Sequence, residues 1–285
     1  MASSRYKRRR TKRTRRQSRK RQRGGSMPLT YDAPNAPITV FTSSDRMEPT
    51  LEYLMKSLKK HNYGYRVLGM GTQWNGFKTK MENYLQGIEQ YIKDKGPDAM
   101  AIFVDAFDVL CIKDADKLLK SYHERLRKMP IVVGVEIYCF YEENCRMEAL
   151  QWYDKHSVEG GSESIKGSLT QPEAGRPYYE APKSVFVNSG FIMGPAKELL
   201  TMFTSMSQSG DKDDQIAVIN YTMSNMDKID LDVEETLIRN KLKPRHKLPD
   251  ENGIVGPGFV HFPGTREKDR QQRNVTEYYP KYDKN

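Results

Sequence analysis

The chain has 285 residues, enough for one large domain or two small ones. Its formal net charge is +10, yet residues 5–23 hold 13 of the 47 basic residues and no acidic residue. Without that segment, 34 basic residues stand against 37 acidic ones. The body is therefore mildly acidic, which argues against a nucleic-acid-binding surface on it.

The first 36 residues are predicted to form a disordered basic tail and linker. The arginine-rich run repels itself and cannot bury apolar surface. Such runs are typical of nuclear-localisation signals and of arms that bind nucleic acid or other polyanions. A solubilising tail without a specific partner is the alternative, because only Tyr6 is interleaved for base stacking. The linker contains Gly24-Gly25-Ser26 and several prolines.

Targeting signals and cysteines indicate a soluble protein of a reducing compartment, cytoplasmic or virus-associated. The positively charged start is not followed by the apolar stretch of a secretory signal. No apolar run approaches the roughly 20 residues that a spanning helix needs. Cys111, Cys139 and Cys145 are too few for a disulfide framework, and their spacing does not suit zinc.

Apolar periodicity predicts alternating strands and helices. Strands are predicted at 38–42, 65–68, 99–104, 131–135 and 184–187, with a last short strand ending at Val260. Helices are predicted at 51–58, 77–92, about 114–126, 195–206 and about 213–226. Gly96 would close the second helix and Asp114 would cap the third. Residues 157–183 show no periodicity and are predicted to be a long loop. The alternation favours an α/β fold with a mostly parallel sheet and helices on both faces.

Two carboxylates follow the central strand. Asp105 and Asp108 come directly after the apolar run 99–104, so they are expected at the carboxyl edge of the sheet, where ligands of open α/β sheets bind. A divalent cation shared with a phosphorylated ligand would relieve their repulsion. In the alternative interpretation, Asp108 caps a turn and Asp105 is a solvated strand end.

Three further clusters lie where strands are predicted to end. They are Val40-Phe41-Thr42, Asn188-Ser189-Gly190, and His261 with the Gly264-Thr265-Arg266 that follows it. The last of these suits a diphosphate. Two carboxylates with one imidazole suit Mn²⁺ better than Mg²⁺.

A second acidic pair, Asp213 and Asp214, precedes a predicted helix. Carboxylates complement the dipole at a helix N-terminus, and the residues alone favour this structural interpretation. The functional alternative is an edge that binds a sugar or an acceptor.

Several of these motifs, in this order, resemble the glycosyltransferase domain of procollagen lysyl hydroxylases over about residues 37–270. They are Leu68-Gly-Met-Gly-Thr-Gln-Trp-Asn-Gly76, Ile102-Phe-Val-Asp-Ala-Phe-Asp-Val109, Val187-Asn-Ser-Gly-Phe-Ile192, Asp213-Asp214-Gln215, and Val260-His261 with Gly264-Thr265-Arg266. No part of the chain resembles the hydroxylase domain of that family. The resemblance implies a GT-A fold, a UDP-sugar donor and Mn²⁺.

The resemblance also implies roles for individual residues. Asp105, Asp108 and His261 match the metal ligands. Asp213, Asp214 and Asn188 match residues beside the donor sugar, where the acidic pair is needed for transfer. The nucleotide contacts match Val40, Phe41, Thr42, Trp74, Asp105, Ala106, Phe107, Gly264, Thr265 and Arg266.

The chain departs from the family pattern at three places. Phe107 stands where the family usually has Tyr, so stacking on uracil survives without the hydroxyl. Phe140 replaces a Trp after Cys139, which affects acceptor specificity. The segment Gly264-Thr265-Arg266 is one residue shorter than its counterpart, although Arg still pairs with phosphate.

Together the motifs predict a manganese-dependent retaining glycosyltransferase with a basic tail at 1–36, a catalytic domain at 37–270 and a polar C-terminal tail at 271–285. It would move glucose from UDP-glucose to a hydroxyl, with galactosyl-hydroxylysine of a collagen-like protein as acceptor. The alternatives are a UDP-galactose-dependent hydroxylysine galactosyltransferase and a nucleic-acid-associated binding protein. A metal-dependent phosphotransferase is disfavoured because no Walker-type loop is present. A basic tail without a secretory signal would fit a protein of a large virus.

Overall fold

The computed structural model describes residues 29–125, 127–139, 150–156, 179–181, 184–240, 256–263, 275–276 and 279. The basic segment 5–23, most of the non-periodic segment 157–183, Phe140 and Gly264-Thr265-Arg266 lie outside the described residues. Among the described residues, we find no helix with the length and apolar character that a membrane span requires.

Five helices are labelled in chain order. They are α1 (Pro49–Lys60), α2 (Phe77–Lys95), α3 (Ala115–Glu124), α4 (Ala196–Gln208) and α5 (Asp214–Ser224). Residues 150–156 are also helical. All five labelled helices begin within a few residues of their predicted positions, because each has an apolar stripe that packs on the sheet.

Twelve short strands are described. They are β1 (Leu29–Tyr31), β2 (Ile38–Ser43), β3 (Gly64–Leu68), β4 (Met100–Val104), β5 (Val109–Cys111), β6 (Ile131–Glu136), β7 (Tyr138–Cys139), β8 (Tyr179–Glu180), β9 (Phe186–Pro195), β10 (Ile229–Leu231), β11 (Ile238–Asn240) and β12 (Phe259–His261). Six of these strands, each with only two or three residues and so too short for a periodic pattern, were not predicted: β1, β5, β7, β8, β10 and β11.

The main sheet has seven strands in the order β1-β3-β2-β4-β9-β6-β10. Five of them run in one direction, while β1 and β9 run against their neighbours. The predicted α/β class with a mostly parallel sheet is therefore confirmed.

Helices cover both faces of this sheet. Alternate residues of one strand point to opposite faces, so Phe41 and Phe103 join the core formed with α2 and α4, whereas Val40 and Ile102 join the core formed with α1 and α3. Each face of the sheet is thus covered by a separate apolar layer.

Strand β9 is longer than predicted, and its extra residues bring polar groups to the edge of the sheet where β4 ends. The sequence predicted a strand that ends at residue 187, but β9 continues to Pro195 and runs antiparallel to β4. Val104, the last residue of β4, pairs with Phe191. The segment Asn188-Ser189-Gly190 therefore lies within β9, just beyond the end of β4, and the carbonyl of Gly190 accepts a hydrogen bond from the Asp105 backbone at 3.4 Å.

A second sheet, in the order β11-β12-β5, brings the end of the chain to the same edge. His261 in β12 pairs with Val109 in β5, directly after Asp108. The backbone of Phe262 donates to the carbonyl of Asp108 at 2.8 Å. This pairing places the imidazole beside the carboxylates that follow β4.

The folded body extends beyond the predicted limits of 37 and 270. At one end β1 pairs with β3, and at the other Val275 and Tyr279 are buried. The ring of Tyr279 stacks on Tyr53 of α1 with centroids 4.3 Å apart. Residues at both ends of the body thus complete the edge of the core. The sequence did not reveal this, because these residues are surrounded by polar ones.

Two local expectations are corrected. Asp114 occupies the N-cap position of α3 but makes no capping hydrogen bond, because its carboxylate pairs with His61 at 2.9 Å and Lys117 at 3.4 Å. Cys139 is disulfide-bonded, which the cysteine count did not predict, while Cys111 is a buried free thiol.

Candidate active site

Asp105, Asp108 and His261 meet at the carboxyl edge of β4. Each offers one ligand atom, and these atoms lie within 4.8 Å of one another. The Nε2 atom of His261 is 3.7 Å from Oδ2 of Asp105 and 3.4 Å from Oδ2 of Asp108. Three residues from different strand ends therefore converge on one point, as their positions in the sequence predict.

The donor set fits a divalent cation. His261 is only 2 % exposed, and its Nε2 has no hydrogen-bond partner among the described residues. The other ring nitrogen, Nδ1, lies 2.6 Å from Oδ1 of Asn240. An unsatisfied buried nitrogen aimed at two carboxylates needs a proton or a metal ion between them. Two carboxylate oxygens and one imidazole suit Mn²⁺.

The three groups also shift one another's protonation. Burial would raise the pKa of Asp105, but Lys80 and His261 outweigh burial, so its pKa lies below the ordinary value. Burial dominates at Asp108 and raises its pKa. Burial would lower the pKa of His261, yet Asp108 and Asp105 raise it. Protonation and metal binding would therefore compete at this site.

Lys80 joins this site from α2. Its ammonium donates to Oδ1 of Asp105 at 2.7 Å and makes a very short contact with the carboxylate of Asp214. Lys80 is buried, and although burial disfavours its charge, the two carboxylates raise its pKa well above the ordinary value. One buried cation thus ties the end of β4 to the start of α5.

A cavity of about 600 Å³ opens in front of these groups. Its volume is within the range of small-molecule sites. Both acidic pairs, Lys80 and four aromatic residues line it. The full lining is Ser43, Ser44, Asp45, Arg46, Glu48, Trp74, Gly76, Phe77, Lys80, Tyr84, Asp105, Ala106, Phe107, Asp108, Lys212, Asp213 and Asp214.

Only some of the residues predicted to contact the nucleotide line the cavity. Trp74, Asp105, Ala106 and Phe107 line the cavity, and the guanidinium of Arg46 lies 5.3 Å from the centre of the Phe107 ring. By contrast, the segment Val40-Phe41-Thr42 is buried below the cavity. Strand β2 continues to Ser43, and the cavity lining begins at that residue. The residues that follow the strand into the cavity are therefore 43–46, and not 40–42 as the sequence predicted.

The acidic pair at the start of α5 has two different environments. Asp213 is the N-cap, and its carboxylate accepts hydrogen bonds from the backbone of Gln215 at 2.9 Å and of Ile216 at 3.2 Å. Asp214 accepts one such bond at 3.0 Å and also pairs with Lys80. The structural interpretation therefore describes Asp213, while Asp214 belongs to the charged cluster, and both line the cavity.

Asn188 lies behind the cavity in a buried hydrogen-bonded network. Its amide donates to Oε1 of Glu136 at 2.9 Å, and its carbonyl oxygen accepts from the Gly190 backbone at 2.9 Å. Gln215 donates to the same Glu136 oxygen at 3.3 Å and accepts from the Ser189 backbone at 2.8 Å. The network fastens the start of α5 to β9. Burial raises the pKa of Glu136 to about 7.

Sequence reasoning missed Lys80, Glu136 and Asn240. Lys80 interrupts the apolar stripe that includes Phe77 and Tyr84, and a lysine in such a stripe indicates a buried charge with partners. Glu136 ends the apolar run of β6, just as Asp105 follows that of β4, so the same rule points to both. Asn240 carries no comparable signal, because β11 has only three residues.

Comparisons with known proteins identify a matching family model and a similar protein. Residues 34–149 match the family model described as the PLOD GT domain. That range includes Asp105 and Asp108, whereas Asp214 and His261 lie after it. The chain is similar to a Caenorhabditis elegans protein named multifunctional procollagen lysine hydroxylase and glycosyltransferase, with 26 % identity over 218 residues, covering 71 % of this chain and 25 % of the relative.

Two further proteins are similar to the chain. An uncharacterized protein of Acanthamoeba polyphaga mimivirus is 23 % identical over 227 residues, covering 75 % of this chain and 43 % of that protein. The chain thus spans a quarter to under a half of these relatives. A glycosyltransferase involved in the glycosylation of the major capsid of PBCV-1 superposes with a TM-score of 0.47 at 12 % identity, covering 84 % of this chain and 98 % of that one.

The family match covers the strands and helices that lead to the two central carboxylates, and the C. elegans relative is similar over most of the chain. The chain therefore contains a PLOD-like glycosyltransferase domain, as its motifs predicted.

Proposed function

We propose that this protein is a manganese-dependent retaining glycosyltransferase that moves glucose from UDP-glucose to a hydroxyl acceptor. The observation that carries the proposal is the convergence of Asp105, Asp108 and His261 beside a cavity that the two carboxylates line together with a second acidic pair. Two carboxylates of one loop and a buried imidazole suit a site for a metal with a diphosphate.

The nucleotide end of the donor is assigned to the side of the cavity that contains Phe107 and Arg46. The ring of Phe107 offers a stacking surface for uracil, and the guanidinium above it carries the charge and donors that suit phosphate or base oxygens. Trp74, which is 40 % exposed, forms the outer wall. Gly264, Thr265 and Arg266 are expected to contact the diphosphate, although they lie outside the described residues.

Asp105, Asp108 and His261 would hold Mn²⁺, which when bound supplies Lewis-acid neutralisation of the diphosphate and of the departing UDP. The sugar end is assigned to Asp213, Asp214 and Lys80. Lys80 fixes the carboxylate of Asp214 at the cavity wall. There the negative charge of Asp214 would orient sugar hydroxyls and stabilise the positive charge that develops at C1. Asn188 supports this wall from behind.

The proposed transfer retains configuration by attack on one face. The bond between C1 of glucose and the β-phosphate oxygen breaks, and C1 bonds to the acceptor oxygen on the same face. The proton of the acceptor hydroxyl passes to the departing phosphate oxygen. This route needs no enzymic nucleophile, and it uses Asp213 and Asp214 as orienting groups.

A galactosyl-hydroxylysine acceptor on a collagen-like protein is proposed because the name of the C. elegans relative combines procollagen lysine hydroxylase and glycosyltransferase. The hydroxylysine itself is the acceptor if the donor is UDP-galactose. The basic segment 5–23 is proposed to bind polyanions separately from transfer, since it precedes the proposed catalytic domain in the sequence.

The test is a panel of UDP-sugars with the full chain and Mn²⁺, in which released UDP is measured with and without EDTA. Collagen-like peptides carrying hydroxylysine or galactosyl-hydroxylysine serve as acceptors, and the anomeric configuration of the product is read by NMR. Asp108→Asn is the inactive variant and Asp116→Asn, an exposed residue of α3, is the matched control. Preference for UDP-glucose with a retained anomer supports the proposal. Preference for UDP-galactose replaces the donor, and no turnover with any UDP-sugar overturns it.

A further inference from the structure

His261 is held from two sides by residues that the proposed reaction does not use. One is Asn240 at the end of β11, and the other is Gly190 in β9. We propose that Asn240 is a positioning residue that keeps the Nε2 atom of His261 available as a metal ligand. This inference rests on the proposed metal site, although its central step concerns only the protein's own hydrogen bonds.

The orientation of the Asn240 amide is set by β6. Its Nδ2 donates to the carbonyl oxygen of Val135 at 2.6 Å, so its Oδ1 faces the other way, toward His261. Asn240 is only 5 % exposed, and an amide flipped end for end would place its oxygen against the Val135 carbonyl. The orientation therefore follows from the backbone and not from the imidazole.

The proton position on the imidazole follows from this orientation. Oδ1 of Asn240 can only accept, and it lies 2.6 Å from Nδ1 of His261, so Nδ1 carries the hydrogen. In the neutral ring the lone pair is then on Nε2, the atom that faces Asp105 and Asp108. A buried lone pair directed at two carboxylates is attractive only when a cation lies between them.

Gly190 supplies the space for this arrangement. A Cβ at position 190 would lie 2.2 Å from Cε1, 2.6 Å from Nδ1 and 2.8 Å from Nε2 of His261. The imidazole thus packs flat against the β9 backbone, and no side chain larger than hydrogen fits without moving the ring. Asn240 selects the tautomer, and Gly190 allows the ring to occupy this position.

The alternative role for Asn240 is purely structural, namely to satisfy the hydrogen bonding of the buried imidazole. In that case its loss would change the stability of the fold and leave the metal affinity unchanged. A positioning role requires the opposite result, because a neutral ring without an acceptor at Nδ1 can place its proton on Nε2. Outer hydrogen bonds of this kind typically change metal affinity 10–100-fold.

The experiment compares Mn²⁺ affinity, measured by electron paramagnetic resonance of free Mn²⁺, in the full chain and in three variants. Asn240→Leu removes the acceptor, Asn240→Asp retains an acceptor oxygen, and Gly190→Ala displaces the ring. Two control variants make the same kinds of change away from His261. Asn225→Leu removes an amide-to-carbonyl hydrogen bond at the end of α5, and Gly194→Ala introduces a Cβ 2.8 Å from the Pro130 carbonyl in the same strand as Gly190. Thermal unfolding identifies any variant that does not fold.

A second measurement does not depend on metal. Nitrogen NMR of histidine-labelled, metal-free protein at a pH where the imidazole is neutral reports which ring nitrogen of His261 carries hydrogen. We expect the Nδ1–H tautomer in the wild type and in Asn240→Asp, and a shift toward Nε2–H in Asn240→Leu. We also expect a loss of Mn²⁺ affinity of roughly 10-fold or more in Asn240→Leu and Gly190→Ala, with the controls within about threefold.

Mn²⁺ affinity of folded Asn240→Leu within about threefold of the wild type overturns the inference, and so does an Nε2–H tautomer in the wild type. If the wild type binds Mn²⁺ with these dependences but transfers no sugar, the proposed function fails and the inference stands. If no Mn²⁺ binds to the wild type, the metal site fails, and the inference fails with it.

Discussion

The described part of the chain contains two buried clusters of charged residues, and they are built differently. In the first, Asp230 of the edge strand β10 is 1 % exposed and accepts from Arg125 at 2.9 Å and from Arg127 at 2.7 Å. Arg127 also pairs with Glu234 at 2.8 Å. Two guanidinium groups thus meet two carboxylates, and both oxygens of Asp230 are used. We refer to these four residues as the arginine cluster.

The second cluster lies at the end of β4 and contains Asp105, Asp108, Asp214, Lys80 and His261. Three carboxylates meet one ammonium and one imidazole, and among the described residues the Nε2 atom of that imidazole lacks a hydrogen-bond partner. This catalytic-edge cluster borders the cavity. Buried charge alone therefore does not indicate a site, since both clusters have it. The difference is that the catalytic-edge cluster has a ligand atom without a hydrogen-bond partner among the described residues and a cavity next to it.

The largest expected effect is the loss of activity in Asp108→Asn. The substitution keeps the size of the side chain but removes a proposed metal ligand, so we expect turnover to fall by more than about 10³-fold. It also removes one of several neighbouring negative charges, so the thermal midpoint should not fall by more than about 2 °C. Sugar-transfer rates and calorimetry measure the two quantities. An active variant, or one that unfolds, would contradict the interpretation of this cluster as a site.

The opposite result is expected for Asp230→Asn in the arginine cluster. Removing this carboxylate leaves two buried guanidinium groups without their central partner, which should lower the free energy of unfolding by about 3 kcal/mol. Mn²⁺ affinity and turnover of the remaining folded protein should stay within about twofold of the wild type. Urea unfolding and a Mn²⁺ titration test this. A large loss of metal affinity would show that the two clusters are coupled.

The sequence predicted the carboxylates of the catalytic edge better than their partners. Asp105 and Asp108 could be found because they follow an uninterrupted apolar run, and a run of this kind is a strong strand signal. His261 was found for the same reason, at the end of β12. These residues are marked by their position at the ends of strands, and periodicity detects such positions.

The partners depend on contacts between distant segments, which periodicity does not encode. Lys80 reaches Asp214 across 134 positions of the chain, and Asn240 reaches His261 from a strand of three residues. The direction of β9 is also invisible in its composition, although it decides that Asn188 lies beside the proposed metal site. The misplacement of the strand tip at residues 40–42 has a smaller cause, because the ends of strands are the least certain part of any such pattern.

The next expected effect separates the two members of the acidic pair. Asp214→Asn keeps the oxygen that accepts from the Gln215 backbone but removes the charge that faces Lys80. We expect the transfer rate to fall by about 10²-fold, or roughly 2.7 kcal/mol of barrier, with UDP affinity and thermal midpoint close to the wild type. Asp211→Asn, three residues earlier, is the control and should be neutral. A rate within about threefold of the wild type would assign Asp214 to helix capping.

The last expected effect is a gradual dependence of stability on pH that comes from Glu136. This buried carboxyl accepts hydrogen bonds from amides and has no direct cation partner among the described residues. Its hydrogen bonds come from Asn188 and Gln215, and burial raises its pKa to about 7. The pKa of a glutamate in the unfolded chain is about 4.3, so between these values the native state keeps a proton that the unfolded state has released. The stability contributed by the protonated carboxyl is therefore present at low pH and is lost as the pH rises from about 4.5 to about 7. Relative to Glu136→Gln, which cannot ionise, the wild type should lose about 3 kcal/mol of unfolding free energy across this window, at about 1.36 kcal/mol per pKa unit, and nothing more above it. Urea unfolding at several pH values measures the difference, and Glu89→Gln, an exposed position of α2, is the control that should show no such change.

A difference in unfolding free energy between wild type and Glu136→Gln that is independent of pH would mean that Glu136 is already ionised at the low end of this pH window. The amide donors of Asn188 and Gln215 would then keep the carboxylate of Glu136 ionised, a task that falls to two guanidinium groups at Asp230.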